Sequence, residues 1–178
     1  MMEWAKKVFN YLVHLEWTER IQHNCTFCDR ANFAIIVYED DEIIAVENRH
    51  LAGQQHWLIL PKQHTVRDIE NLNGQHLALL QAMDRVKKLL LAERAAGISP
   101  SAVQSGYHRG RRRLVGSIFW PDIISIHHLH LHVIVQPHLW LRMFKYPRWF
   151  PLMWKSDMTV LREVQGTLHA LPPATASG

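Results

Sequence analysis

His127-His128-Leu129-His130-Leu131-His132-Val133-Ile134-Val135 is the stretch on which the reading of this chain turns. Alternation with period two is the pattern of a strand, so His128, His130 and His132 share one face and Leu129, Leu131 and Val133 the other. Same-face neighbours stand roughly 6.6–7 Å apart along a strand, which sets the three imidazoles in a row. Groups that titrate near neutrality, held together in this way, suit nucleophilic catalysis, proton transfer or metal binding. Histidine is abundant here, at 13 of 178 residues, so a His-rich strand lying against polar loops is the plain alternative. The apolar residues required between and after the histidines make chance the weaker explanation.

Outward from this strand, Ser125 and Ile126 lead in and Pro137 ends it. Residues 108–124 upstream combine Arg109, Arg111, Arg112 and Arg113 with Phe119 and Trp120. They read as a solvated insertion loop, the alternative being a contact to nucleic acid phosphate and bases. Downstream, Leu139 to Trp154 is aromatic and basic, and Pro147 and Pro151 exclude a regular helix through it; it reads as a wrap over the sheet. Asp157 to Leu168 reads as a last short helix, and residues 171–178 as a flexible tail.

The N-terminal half supplies the frame. Trp4, Val8, Tyr11, Leu12 and Leu15 predict an amphipathic helix over residues 1–22, packed on the domain or on a partner rather than on a membrane. Cys25-Thr26-Phe27-Cys28 is half of a zinc site, a redox pair, or two small buried residues. Phe33–Tyr38 and Glu42–Val46 read as a hairpin, and His56–Leu60 as a strand stopped by Pro61, with His64 just beyond. The longest helix runs from Asn73-Gly74 to about Ala96, with an apolar stripe that includes Leu80, Met83, Val86 and Leu90. Ser101–Tyr107 reads as a further strand in which Gly106 marks a bend or a close backbone approach.

The length of 178 residues fits one domain with a real core, and the net charge of +4 favours anionic ligands such as nucleotides. Two cysteines without further partners suit a reducing compartment. No run reaches the length of a membrane span and the N-terminus lacks the apolar core of a secretion signal, so the expectation is a cytoplasmic or nuclear protein with no membrane partner.

In order, the chain carries Cys25-x-x-Cys28, two strands, His56-Trp57-Leu58-Ile59-Leu60-Pro61-Lys62-x-His64, a long helix, Gly106-Tyr107-His108 and Ser125-x-x-His128-x-His130-x-His132. This order resembles the histidine triad family, within it the Hint-type nucleoside phosphoramidases; His56–Pro61 and Gly106–His108 are similar to aprataxin as well. The resemblance implies an α+β fold, a meandering antiparallel sheet of about five strands with one long helix packed on it, spanning residues 23–170. It implies an enzyme that hydrolyses adenosine 5′-monophosphoramidates, or related P–N and phosphoanhydride bonds, and releases AMP. The alternatives are an aprataxin-like deadenylase of nucleic acid ends and a non-catalytic nucleotide-binding protein.

The same resemblance assigns roles. His130 attacks the α-phosphorus, with its ring held by a backbone carbonyl from near the third histidine. His132 and His56 hydrogen-bond the phosphoryl oxygens, His128 supports the site, and Ser125 assists the phosphate or the leaving group. His108 adds a phosphate or leaving-group contact, and Asn48 stands where an acidic residue usually holds the ribose. Cys25, Cys28, His64 and His128 match the ligands of a structural zinc ion. The partner is a purine nucleotide, with nucleic acid second, and a homodimer is an assembly the family uses. Three departures stand out: Asn48 lacks a charge, the loop before the triad is long, and His127 adds a fourth histidine that points to the opposite face.

Overall fold

A computed structural model describes residues 25–116, 118–120, 124 and 126–169. The expected helix over residues 1–22, Ser125, and the tail over 171–178 lie outside the described residues.

Strands β1 (Ile36–Glu39) and β2 (Ile43–Glu47) form the expected hairpin. Its turn is closed by Asp40, whose carboxylate accepts the Glu42 and Ile43 amides at 2.9 and 2.6 Å. Strands β3 (Gly53–Pro61), β4 (Val103–His108), β7 (Leu131–Pro137) and β8 (Trp154–Ser156) complete an antiparallel sheet in the order β1-β2-β3-β7-β4-β8. Helix α1 (Leu77–Arg94) continues from a 3-10 turn over Gly74–His76 that carries a capping box: the Asn73 side chain accepts the Gln75 amide, and His76 Nδ1 accepts the Asn73 amide. Met83, Val86 and Leu90 of α1 pack on Trp57, Ile59, Leu131 and Val133. His56, Leu58, His132 and Ile134 alternate with these residues and face the other side of the sheet.

The sheet has six strands rather than about five. The extra strand, β8, is three residues long and has no readable alternation, so sequence pattern does not reveal it. Gly106 admits it: a Cβ there would stand 2.4 Å from the Lys155 carbonyl and 2.8 Å from the Trp154 ring. Helix α2 (Leu139–Phe144) lies between β7 and β8, and helix α3 (Asp157–His169) follows β8 directly. It is tied down by Lys87 of α1, which ion-pairs with Asp84 at 2.7 Å and also with Asp157; Ser105 donates to Asp157 at 2.9 Å. Burial opposes the ammonium charge, but the two carboxylates outweigh it and hold Lys87 above the ordinary lysine value.

Within residues 108–124 the described residues hold regular structure in place of the expected solvated loop. β5 (Arg112–Val115) and β6 (Ile118–Trp120) form a separate hairpin turning at Gly116, whose φ of +57° is left-handed. Arg109 pins its base by pairing with Glu70 at 2.7 Å, and Arg112 donates to the Leu152 carbonyl at 2.7 Å. These two arginines are spent on the fold rather than presented to a polymer.

Candidate active site and metal centre

A cleft of about 590 Å3 opens on the His132 side of the sheet. Its walls are apolar, with Phe27, Phe33, Val46, Leu58 and Ile126, and one end holds His108, His130 and His132 with Lys145 at the rim. A flat aromatic base fits the walls, and an anion fits the end.

The strand ladder begins at Leu131, so His128 and His130 lie in the bend just before it. Alternation continues through this bend, since Leu129 enters the helix-side core with Leu131 and Val133. The bend has a chemical consequence. The His128 carbonyl is free of the ladder and accepts a hydrogen bond from His130 Nδ1 at 2.6 Å. Nδ1 therefore carries the proton, which leaves Nε2 with a free lone pair. Burial holds His130 below the ordinary histidine value despite the opposing pull of that carbonyl. The orienting carbonyl comes from the first histidine of the triad, not from near the third as expected.

The next imidazoles form a chain whose directions can be worked out. Asn48 Oδ1 accepts the His50 amide at 3.0 Å, which turns Asn48 Nδ2 toward His56 Nε2 at 3.3 Å. An amide nitrogen only donates, so His56 Nε2 is an acceptor. His56 Nδ1 accordingly donates to the His50 carbonyl at 3.2 Å. His132 Nδ1 lies 3.0 Å from the same His56 Nε2 and must donate to it. His132 Nε2 is then bare, buried and without a partner among the described residues. His56 is fully buried behind His132 because its register partner on β7 is Ile134, so it supports His132 and does not line the cleft. Burial pushes His56 down to about 4 and His108 to about 3, and His132 lies well below its ordinary value for the same reason. These rings are neutral at pH 7.

His108 closes the end of the site from β4, its ring edge-on to His132 at 5.0 Å and its Nδ1 buried without a partner among the described residues. Two residues without a sequence assignment frame these rings. Tyr146 packs against His56, His108 and His132, and Trp154 against His108 and His132. The only sequence signal for them was the aromatic run 140–154, read as a wrap over the sheet. Asn48 lines the cleft, and after its inward bonds it keeps one N–H and one lone pair for a ligand. Ser125 lies outside the described residues.

On the far side of His128 the second expected cluster is assembled. Sγ of Cys25 and Cys28 and Nδ1 of His128 and His64 all lie within 4.8 Å of one another. Cys25 and Cys28 stand 3.5 and 3.6 Å from His128 Nδ1, and Cys28 stands 3.4 Å from His64 Nδ1. A sulfur and a nitrogen bound tetrahedrally to one zinc ion would be about 3.5 Å apart. His128 Nε2 donates to the Pro61 carbonyl at 2.8 Å, which leaves Nδ1 bare toward the sulfurs, as a metal ligand requires. The residues present fit the ion.

Fold and site together define a nucleotide-site protein of the histidine triad class. The chain belongs to the histidine triad family, and residues 23–144 match the family model described as scavenger mRNA decapping enzyme C-term binding. It is similar to aprataxin of Danio rerio, 30% identical over 100 residues covering 56% of this chain and 26% of that protein. It is 27% identical over 142 residues to the bifunctional adenosine 5′-phosphosulfate phosphorylase/adenylylsulfatase HINT4 of Arabidopsis thaliana, covering 76% of this chain and 82% of that protein. Adenosine 5′-monophosphoramidase HINT3 of Xenopus tropicalis is 29% identical over 115 residues, 62% of this chain and 67% of that protein. In fold the chain is similar to a histidine triad protein from Clostridium difficile, with a TM-score of 0.51 at 22% identity over 68% of this chain and 96% of that one. Among the described residues no helix is long and apolar enough to cross a membrane.

Proposed function

We propose that this protein hydrolyses adenosine 5′-monophosphoramidates through a nucleotidyl-His130 intermediate and releases AMP. The observation that carries this reading is the His130 ring: Nδ1 is fixed on the His128 carbonyl at 2.6 Å, and the ring lines the cleft beside His132. The Nε2 lone pair attacks the α-phosphorus, the N–P bond forms, and the bond to the leaving amine breaks. The amine departs with the electron pair and takes a proton from bulk solvent. The intermediate carries positive charge on its ring, and the His128 carbonyl stabilises it through the Nδ1 proton. Water then attacks phosphorus, its proton passes to solvent, and Nε2 leaves with its lone pair restored. Splitting one displacement into two easier ones is the gain.

His132 holds the phosphoryl group. An anionic oxygen beside its bare Nε2 draws a proton onto that nitrogen, and His132 becomes a charged donor only when substrate is bound. Cys25, Cys28, His64 and His128 would hold a zinc ion. When bound it would tie the Cys25–Cys28 turn to the bend that carries His130.

The aprataxin-like reading draws on the Danio rerio match, but two members of the arginine cluster meant to hold a polymer are engaged within the fold. The test offers an AMP-amine phosphoramidate and a 5′-adenylated DNA to the protein and to His130→Ala. AMP release from the first, a covalent nucleotidyl adduct by mass spectrometry, and loss of both in the variant are the expected results. AMP release by His130→Ala at the normal rate would refute the nucleophile, and faster release from DNA would favour the second reading.

A further inference from the structure

Residues 123 to 156 contain no Asp or Glu, yet they carry Arg142, Lys145, Arg148 and Lys155. Within this run lies the short helix α2 (Leu139–Phe144). Leu141 anchors it inward against Ile134, Tyr146 and Trp154, which turns the rest of the helix outward. Leu139 and Trp140 are 74% and 71% exposed, Met143 and Phe144 45% and 56%, and Trp149 in the next turn 66%. The four helical residues occupy positions i, i+1, i+4 and i+5, so they form one stripe. Trp140 and Phe144 meet at 4.3 Å, and Trp149 Nε1 donates to the Met143 carbonyl at 3.2 Å, which makes one continuous apolar ridge.

Soluble surfaces seldom leave such a ridge open without a partner. The cations beside it say which partner. Neither Arg142 nor Arg148 pairs with a carboxylate among the described residues, so an anionic surface would answer both. A second copy of the chain would bring these like charges together across a twofold axis. A polynucleotide would match the charge and could stack on aromatic rings, but it offers nothing to Leu139 and Met143, and the Trp140 and Phe144 rings already engage each other at a tilt of 41°. A bilayer interface takes aliphatic and aromatic side chains into its acyl boundary while arginines stay at the headgroups.

We infer that the α2 ridge docks on an anionic lipid bilayer. This goes beyond the hydrolase reading and revises the expectation of a protein without membrane partners. It also orients the site: Phe144 and Lys145 line the cleft as well as flank the ridge, so docking sets the cleft mouth at headgroup level.

The test sediments the 178-residue chain with vesicles of phosphatidylcholine alone and of phosphatidylcholine with phosphatidylserine. Binding to the second and not the first is expected. Trp140→Ser with Trp149→Ser should abolish it, and circular dichroism should show the fold unchanged. Arg142→Glu with Arg148→Glu should weaken it by at least about 25-fold, since each basic residue near an anionic leaflet contributes about fivefold, or about 1 kcal/mol. Vesicle binding that survives both double variants would overturn the proposal, as would no vesicle binding at all. A single-stranded oligonucleotide bound through the same four residues, without vesicle binding, would overturn it in favour of a polynucleotide surface.

Discussion

Replacing Asn48 with aspartate tests the directed chain that ends at His132. In the variant the carboxylate still accepts the His50 amide, and its second oxygen takes the place of Nδ2, 3.3 Å from His56 Nε2. Two acceptors then face each other, and the conflict is relieved only if His56 gains a proton on Nε2. A unit charge at that distance is worth about 5 kcal/mol at an effective dielectric of 20. Residue 48 borders the open cleft, so screening leaves roughly half of this, close to two units of pKa. His56, pushed down to about 4 by burial, should therefore titrate near 6 in the variant. Once protonated it cannot accept from His132 Nδ1, and His132 must move its proton to Nε2. The assay is NMR titration of the His56 ring beside the pH profile of kcat/KM. A new acidic limb near pH 6 is expected. Stability carries the same sign. With its folded value below about 6.5, His56 leaves the wild type progressively less stable as pH falls toward 4, and Asn48→Asp should narrow that window. A His56 titration unmoved from about 4 would refute the reasoning.

Other consequences are open to measurement. Nucleotide binding should take up about one proton as His132 Nε2 becomes charged, visible in calorimetry as a dependence on buffer ionisation enthalpy; His132→Asn should remove it. Lys87→Met should cost about 3 kcal/mol in chemical denaturation, because it leaves the partly buried Asp84 and Asp157 without their shared cation. Burial raises the Asp84 carboxyl, but Lys87 and Lys88 outweigh it and hold the group below its usual value. Wild-type stability should accordingly fall as pH drops through the acid range below about 4, and the variant should show less of that loss. Cys25→Ser should reduce bound zinc from about one per chain to a trace by elemental analysis, with a lower melting temperature; unchanged zinc content would remove the cysteine pair from the metal centre.

What the sequence disclosed follows from where its signals were local. The alternation over 128–135 specified both faces of β7, and the stripe of Leu80, Met83, Val86 and Leu90 specified the helix that covers one of them. Cys25-x-x-Cys28 with His64 and His128 marked residues that the fold does bring together, because turns and a strand end hold them close. Other features depended on register and could not be read. His56 was expected on the phosphate, but its place opposite Ile134 sets it behind His132. β8 is too short for periodicity, and Gly106 revealed only that something came close. The hairpin in 108–124 was hidden because arginines at its base look solvated until Glu70 and the Leu152 carbonyl are seen beneath them.

His128 holds two posts at once. Its ring faces the sulfurs, and its carbonyl holds the His130 ring. One peptide plane therefore serves two centres, and neither can be redesigned alone. A lineage that discarded the two cysteines would inherit a loosened His130 unless new packing gripped residue 128. Conversely, a change at residue 128 that turned its carbonyl away from His130 would also tilt the ring that faces the two sulfurs.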